Sequence, residues 1–218
     1  MKTQVVSISG QRTTDNRDAI LAELNHGIAL YMLVDGSSSR ARSGEFAKQL
    51  AESIQNSFQA LTPEQVSPSN IKEVLNSLLK TAQQQARKTY PAASASLNMV
   101  AITGSVALTL YLGDCLLGRF NKYQEIKWLT QPHCHLGHIE IEKLALTPEH
   151  NLLTKSFKSR RFESPQWKVI ALRENQKLIL ASDGFWSDLT PKQQIKLINT
   201  KQLNEAPNDD TSFILIEQ

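Results

Sequence analysis

The chain has 218 residues, 40% of them hydrophobic, enough to bury one sizeable core and so to form a single domain over residues 1–218. Its 24 lysines and arginines against 21 acids leave a net charge of +3 spread along the sequence, which argues against a dedicated nucleic-acid binder. Two cysteines, Cys115 and Cys134, give no disulfide framework, and the N-terminal run lacks the apolar length of a signal peptide or membrane span, so a soluble cytoplasmic protein with free thiols is expected.

Val5 to Ile8 reads as the first strand. Ala19 to Leu24 and Ile28 to Val34 read as two more, joined at Asn25-His26-Gly27, whose residues tolerate the positive φ of a tight hairpin. Phe46, Leu50, Ile54 and Phe58 recur at spacing four, which predicts a helix from about Gly44 to Ala60. A second helix follows a loop over Thr62 to Ser69, with Asn70 and Glu73 spaced as a capping box and Ile71, Leu75 and Leu79 on one face. Beyond Ser96 the pattern changes to short strands, at Met99 to Ile102, Val106 to Leu112 and Leu116 to Phe120, read as an antiparallel meander. Glu125 to Leu129, Ile139 to Leu146, Trp167 to Leu172 and Lys177 to Ala181 read as further strands, with an irregular basic stretch from Pro148 to Pro165. Thr190-Pro191-Lys192-Gln193 starts a helix, and Ser212 to Glu217 closes the chain as a strand. Strands, two long helices, many strands, one helix and a strand make an α+β fold in which helices stack on antiparallel sheets.

Aspartates stand where apolar strands end. Val34 runs into Asp35-Gly36, Ala181-Ser182 into Asp183-Gly184, and Leu112-Gly113 into Asp114, while Asp209-Asp210 precedes the last strand. Carboxylates at the ends of neighbouring buried strands converge on one rim, where their repulsion is relieved by a cation, and hard oxygen ligands select Mg²⁺ or Mn²⁺.

These stretches have a family resemblance. Arg12 and Asn16-Arg17-Asp18-Ala19, Val34-Asp35-Gly36, Leu112-Gly113-Asp114-Cys115, Leu146-Thr147-Pro148-Glu149-His150, Ser182-Asp183-Gly184-Phe185-Trp186 and Asp209-Asp210-Thr211-Ser212 resemble the protein phosphatase 2C family of metal-dependent serine/threonine phosphatases, in its compact bacterial form. The resemblance implies a four-layer αββα sandwich, two antiparallel sheets flanked by helices, with a flap at about residues 131–165. It implies two ions of Mn²⁺ or Mg²⁺, with room for a third. Asp35 would bridge the two, the Gly36 carbonyl would bind one, and Asp183 and Asp209 would complete the other. Asp18 would hold metal-bound waters, Asp114 with Asp183 would form the third site, and Arg12 would clamp the phosphate. The nucleophile would be a metal-bridging water rather than a side chain. Phosphorylated protein substrates and a cognate serine/threonine kinase are the implied partners, for a monomer with no nucleic-acid or membrane role.

The chain also departs from the family pattern. Ser37-Ser38-Ser39-Arg40 stands where a histidine and a glycine pair are usual, Arg17 precedes Asp18, and Ser187 follows Trp186. The serine loop and Arg17 motivate an alternative function, a catalytically weak or inactive phosphatase-like module that binds a phosphoprotein or signalling partner, while Ser187 bears on the third metal site. A zinc-dependent regulatory module on His133, Cys134, His135 and His138 is the more distant alternative. On a strand His133 and His135 share a face opposite Cys134, and no second pair closes a tetrahedron. Cys115 reads as a buried thiol, and Trp128, Trp167 and Trp186 as core or rim residues.

Overall fold

The computed structural model describes residues 1–12, 14–173 and 175–217. Its first sheet grows from the predicted hairpin. β2 (Asp18–Asn25) and β3 (Ile28–Gly36) turn through His26 at φ 47° and Gly27 at φ 76°, and this turn sets the register that ends with Asp18 opposite Asp35. β4 (Ser94–Thr103), β5 (Val106–Leu112) and β9 (Gln166–Ala171) extend it in the order β2-β3-β4-β5-β9. The two-residue β8 (Phe157–Lys158) pairs with the start of β4. The second sheet runs β1 (Lys2–Ile8), β11 (Thr211–Glu217), β10 (Lys177–Ala181), β6 (Leu116–Phe120) and β7 (Ile126–Trp128). Every strand pairing in both is antiparallel.

Alternation along β3 shows how the layers form. Leu30, Met32 and Val34 point to the face covered by α1 (Ser43–Gln59) and α2 (Ile71–Ala86), where they meet Phe46, Leu50, Ile54, Leu75 and Leu79. Tyr31 and Leu33 point the other way, into a layer shared with Val100, Leu117, Leu180 and Ile214 of both sheets. The outer face of the second sheet buries Phe213 and Leu215 under α3 (Ile141–Leu144), α4 (Asp183–Trp186) and α5 (Pro191–Thr200). Helix, sheet, sheet and helix layers therefore stack as expected for αββα. Each fully buried Leu or Phe in these layers contributes about 1.5–3 kcal/mol. Among the described residues no helix is long and apolar enough to cross a membrane.

Three local expectations are corrected. Residues 139–146 alternate in polarity, yet Ile141 and Leu144 lie three apart and pack together under the second sheet, so the segment forms one helical turn rather than a strand. The Asn70 and Glu73 capping box does not form, because Asn70 Oδ1 turns back to accept from Ser67 N at 2.8 Å; at α5 the Thr190 and Gln193 box does form. The meander breaks between β5 and β6, which belong to different sheets. The crossing falls at Gly113, at φ 101°, where a Cβ would come within 2.1 Å of Ser96 Oγ.

Candidate metal centre

The crossing, the hairpin and two loops deliver the aspartates to one rim. Asp35 sits near the end of β3 between Asp18 on β2 and Ser96 on β4. Asp114 occupies the bend after Gly113, its N–H donating to Ser96 Oγ at 3.2 Å and its carbonyl accepting from Trp186 Nε1 at 2.9 Å. That tryptophan belongs to the helical turn which Asp183 opens, so one bond ties the two aspartates' backbones together. Asp209, ahead of β11, accepts from Arg12 Nη1 at 2.6 Å and is positioned by its own N–H donating to Asp188 at 3.2 Å.

Asp35, Gly36, Asp114, Asp183, Asp209 and Arg12 line a single cavity of about 230 Å³. All were expected at the site. Asp18 does not line it but lies buried beside Asp35 in the hairpin register. Gly36 is required by close approach, since a Cβ there would lie 2.4 Å from the Ser43 carbonyl oxygen at the start of α1.

The electrostatics are those of anions crowded out of water. Burial pushes the Asp35 and Asp183 carboxyls well above the ordinary carboxylate range; Asp183 adds to the shift at Asp35, and Asp114 and Asp209 add to it at Asp183. Asp114 is raised by burial, with the Ser96 hydroxyl opposing. Asp18 is pushed up to about 8 by burial, with Asp210 and Asp209 adding repulsion, although the nearby hydroxyls of Ser212 and Ser182 take part of that back. For Arg12, partial burial pulls the pKa down, but the hydrogen bond and charge of Asp209 outweigh it.

A divalent cation fits this donor set. Among the described residues, both oxygens of Asp18 and Oδ1 of Asp114 are buried with no well-formed hydrogen bond, a costly state for a carboxylate unless a metal or its waters complete it. Oxygen donors predominate, as hard Mg²⁺ and Mn²⁺ prefer. Cys115 is the exception, its Sγ lying within 4.8 Å of ligand atoms of Asp35 and Asp114. It is wholly buried in the layer between the sheets, and burial, reinforced by Asp35, holds its thiol pKa well above the usual value, which disfavours the thiolate a metal would need.

Sequence reasoning missed the part played by Asp210. This buried carboxylate accepts from Gly10 N and Arg17 N, each at 2.7 Å, and so holds the arm that carries Arg12 across the rim. Asp209 and Asp210 look alike in the sequence and both line the cavity, but Asp210 is the more deeply buried of the two. Arg17 also lines the cavity, its guanidinium donating to the carbonyls of Ser37 at 3.2 Å and Ser38 at 3.4 Å. Ser37 to Arg40 take no left-handed angles; the positive φ of this segment, 58°, falls on Arg42, which reaches Glu45 and the Thr89 carbonyl and stacks on Tyr90. The cavity wall formed by the serines therefore needs no glycine pair.

The other metal constellation disperses. His133 stacks on Tyr111, its Nδ1 accepting from Gly113 N at 3.0 Å, while Cys134 packs under the second sheet and His135 and His138 are exposed. Cys115 is buried as expected, as is Trp186, and Trp128 and Trp167 are partly buried at the margins of the two outer layers.

A carboxylate nest at the shared rim of two sheets, between outer helices, defines a metal-dependent hydrolase. The protein phosphatase 2C family model matches residues 10–211, and the chain belongs to that family of metal-dependent protein serine/threonine phosphatases. The protein phosphatase PhpP of Streptococcus pneumoniae is 23% identical over 97% of this chain and 89% of its own length. Among solved structures, the serine/threonine phosphatase Stp1 of Staphylococcus aureus superposes with a TM-score of 0.85 at 18% identity, over 100% of this chain and 95% of that one. The Mycobacterium tuberculosis serine/threonine phosphatase PstP/Ppp gives 0.77 at 14%, over 98% and 97%.

Proposed function

We propose that this phosphatase hydrolyses phosphoserine and phosphothreonine monoesters of cytoplasmic proteins at two divalent ions, Mn²⁺ or Mg²⁺, held by Asp35, the Gly36 carbonyl, Asp183 and Asp209. Asp114 with Asp183 would hold a third ion where one binds, and Asp18 would hold metal-bound waters. When bound, the ions supply an acidified water and offset the charge of the phosphoryl oxygens. The chain's own groups do the rest. Asp210 fixes the arm, and Arg12 exchanges its bond to Asp209 for the phosphate, which its planar fork suits. Arg17 holds the serine loop, and residues 131–165 form a flap over one side of the cavity. A serine/threonine kinase supplies the substrate, and the protein acts as a monomer.

The observation that carries this reading is the convergence of Asp35, Asp114, Asp183 and Asp209 on one cavity. Hydrolysis of p-nitrophenyl phosphate or a phosphopeptide should appear with Mn²⁺ and vanish with EDTA. Intact activity in both Asp35→Asn and Asp183→Asn would overturn the assignment.

A further inference from the structure

Beside the carboxylate cavity lies a larger one of about 590 Å³. Ser37, Ser39, Ser94, Asn151, Leu153 and Ser156 line both, so the two form one continuous depression. Their charges are opposite. The second cavity carries Arg40, Lys155, Lys158 and Arg160, the His135 ring also lines it, and among the described residues no aspartate or glutamate does. The sequence reads Lys155, Lys158, Arg160 and Arg161 either as a solvated loop or as a flap able to favour acidic phosphorylated surfaces; the fold adds Arg40 from a separate segment. Lys158 is set opposite Ser94 by the pairing of β8 with β4, while Arg40 closes a turn by donating its N–H to the Ser37 carbonyl at 3.3 Å. Among the described residues none of Arg40, Lys155, Lys158 and Arg160 is ion-paired to a carboxylate. The buried hydroxyl of Ser159, which has no hydrogen-bond partner among the described residues, lies in the same wall.

Unpaired cations converging on a concave surface leave their charge available to a bound anion. We propose that this basic cavity is a subsite for a second acidic group of the substrate, a phosphate or carboxylate near the phosphorylated residue that enters the metal centre. The inference rests on the phosphatase reading and adds a substrate class: phosphoproteins with acidic or multiply phosphorylated flanks. An anion in the second cavity sits away from the carboxylate nest, so it is held rather than hydrolysed, and it draws the neighbouring phosphoresidue into register.

Three phosphothreonine peptides test it, with alanine flanks, with glutamate flanks and with a second phosphoserine, alongside p-nitrophenyl phosphate, all with Mn²⁺. The expected kcat/KM for at least one acidic peptide is about tenfold above the alanine-flanked one, as several weak ion pairs would give. The advantage should shrink as salt rises. In Lys158→Glu/Arg160→Glu, and less completely in Lys158→Ala/Arg160→Ala, the ratio of acidic to alanine-flanked rates should fall to about one. Both positions are exposed, and thermal unfolding checks that the variants fold. A gain with both acidic peptides assigns any anion to the subsite; a gain with phosphoserine alone assigns phosphate. Equal rates on all three peptides, or a preference that survives the double charge reversal, would overturn the subsite while leaving the phosphatase reading in place. Failure to hydrolyse p-nitrophenyl phosphate with Mn²⁺ would instead overturn the phosphatase reading, and the subsite with it.

Discussion

Arg12 Nη1 stands 2.6 Å from Asp209 Oδ2, so a cation of the chain itself occupies one carboxylate of the proposed metal centre. The pair is half exposed on the arginine side and water screens it, so a divalent ion can displace the guanidinium at modest cost. The freed guanidinium is then beside the cavity where phosphate arrives. Arg12→Ala should raise KM for a phosphopeptide roughly tenfold, with a smaller fall in kcat, since a charged hydrogen bond is worth about 1.5–3 kcal/mol. Mn²⁺ affinity by calorimetry should not weaken. An unchanged KM would show that Arg12 never leaves Asp209.

Asp18 makes the metal-free protein sensitive to alkali. Its folded pKa of about 8 lies above the unfolded value of about 3.9, so the native state keeps a proton that the unfolded chain gives up. That contribution to stability is fully present below about pH 4 and has been lost once pH passes about 8. Asp35 and Asp183 are shifted in the same direction. The melting temperature of the EDTA-treated protein should therefore fall between pH 6 and 9. Mn²⁺ should restore it, with a larger gain at pH 8.5 than at pH 6, because ions compete with protons for the carboxylates. A gain that is equal at the two pH values would contradict this.

Gly36→Ala tests a contact rather than a charge. With backbone of Ser43 only 2.4 Å from the new Cβ, either β3 or the start of α1 must move. The expected loss is about 2 kcal/mol or more in urea unfolding, together with weaker Mn²⁺ binding, because the displaced strand end also carries Asp35.

Asp210→Ala removes two charge-assisted bonds and leaves the N–H groups of Gly10 and Arg17 without this acceptor. Stability should drop by about 2–3 kcal/mol, and kcat/KM should fall about tenfold as the arm bearing Arg12 loosens. Asp210→Asn keeps one acceptor and should recover part of both. If kcat/KM were unchanged while stability fell, Asp210 would be a structural anchor with no bearing on Arg12.

The sequence makes the local signals of this fold readable and leaves the long-range ones hidden. The stripe Phe46, Leu50, Ile54 and Phe58 and the turn at His26-Gly27 act within a few residues, and both elements lie where the pattern puts them. The strand-end aspartates were legible for the same reason, since each needs only its own strand to be recognised. Which sheet a strand joins depends on partners far away in sequence, so the crossing at Gly113 is invisible until β6 is seen beside β10. Ile141 and Leu144 fit either period over so short a run, and the layer beneath them decides. Cys115 follows Asp114 directly, but its place beside Asp35 is seen only once the chain is folded.

The hairpin that pairs Asp18 with Asp35 also works as a ruler. Its turn lies at the far end of the 8-residue β2, about 26 Å from the metal-binding rim, yet it sets which residues stand opposite each other there. One residue inserted at His26-Gly27 would shift the whole ladder and swing one of the two aspartates to the other face of the sheet. That distant turn is therefore among the segments least free to change length, and drift there would silence the centre without altering a single residue within it.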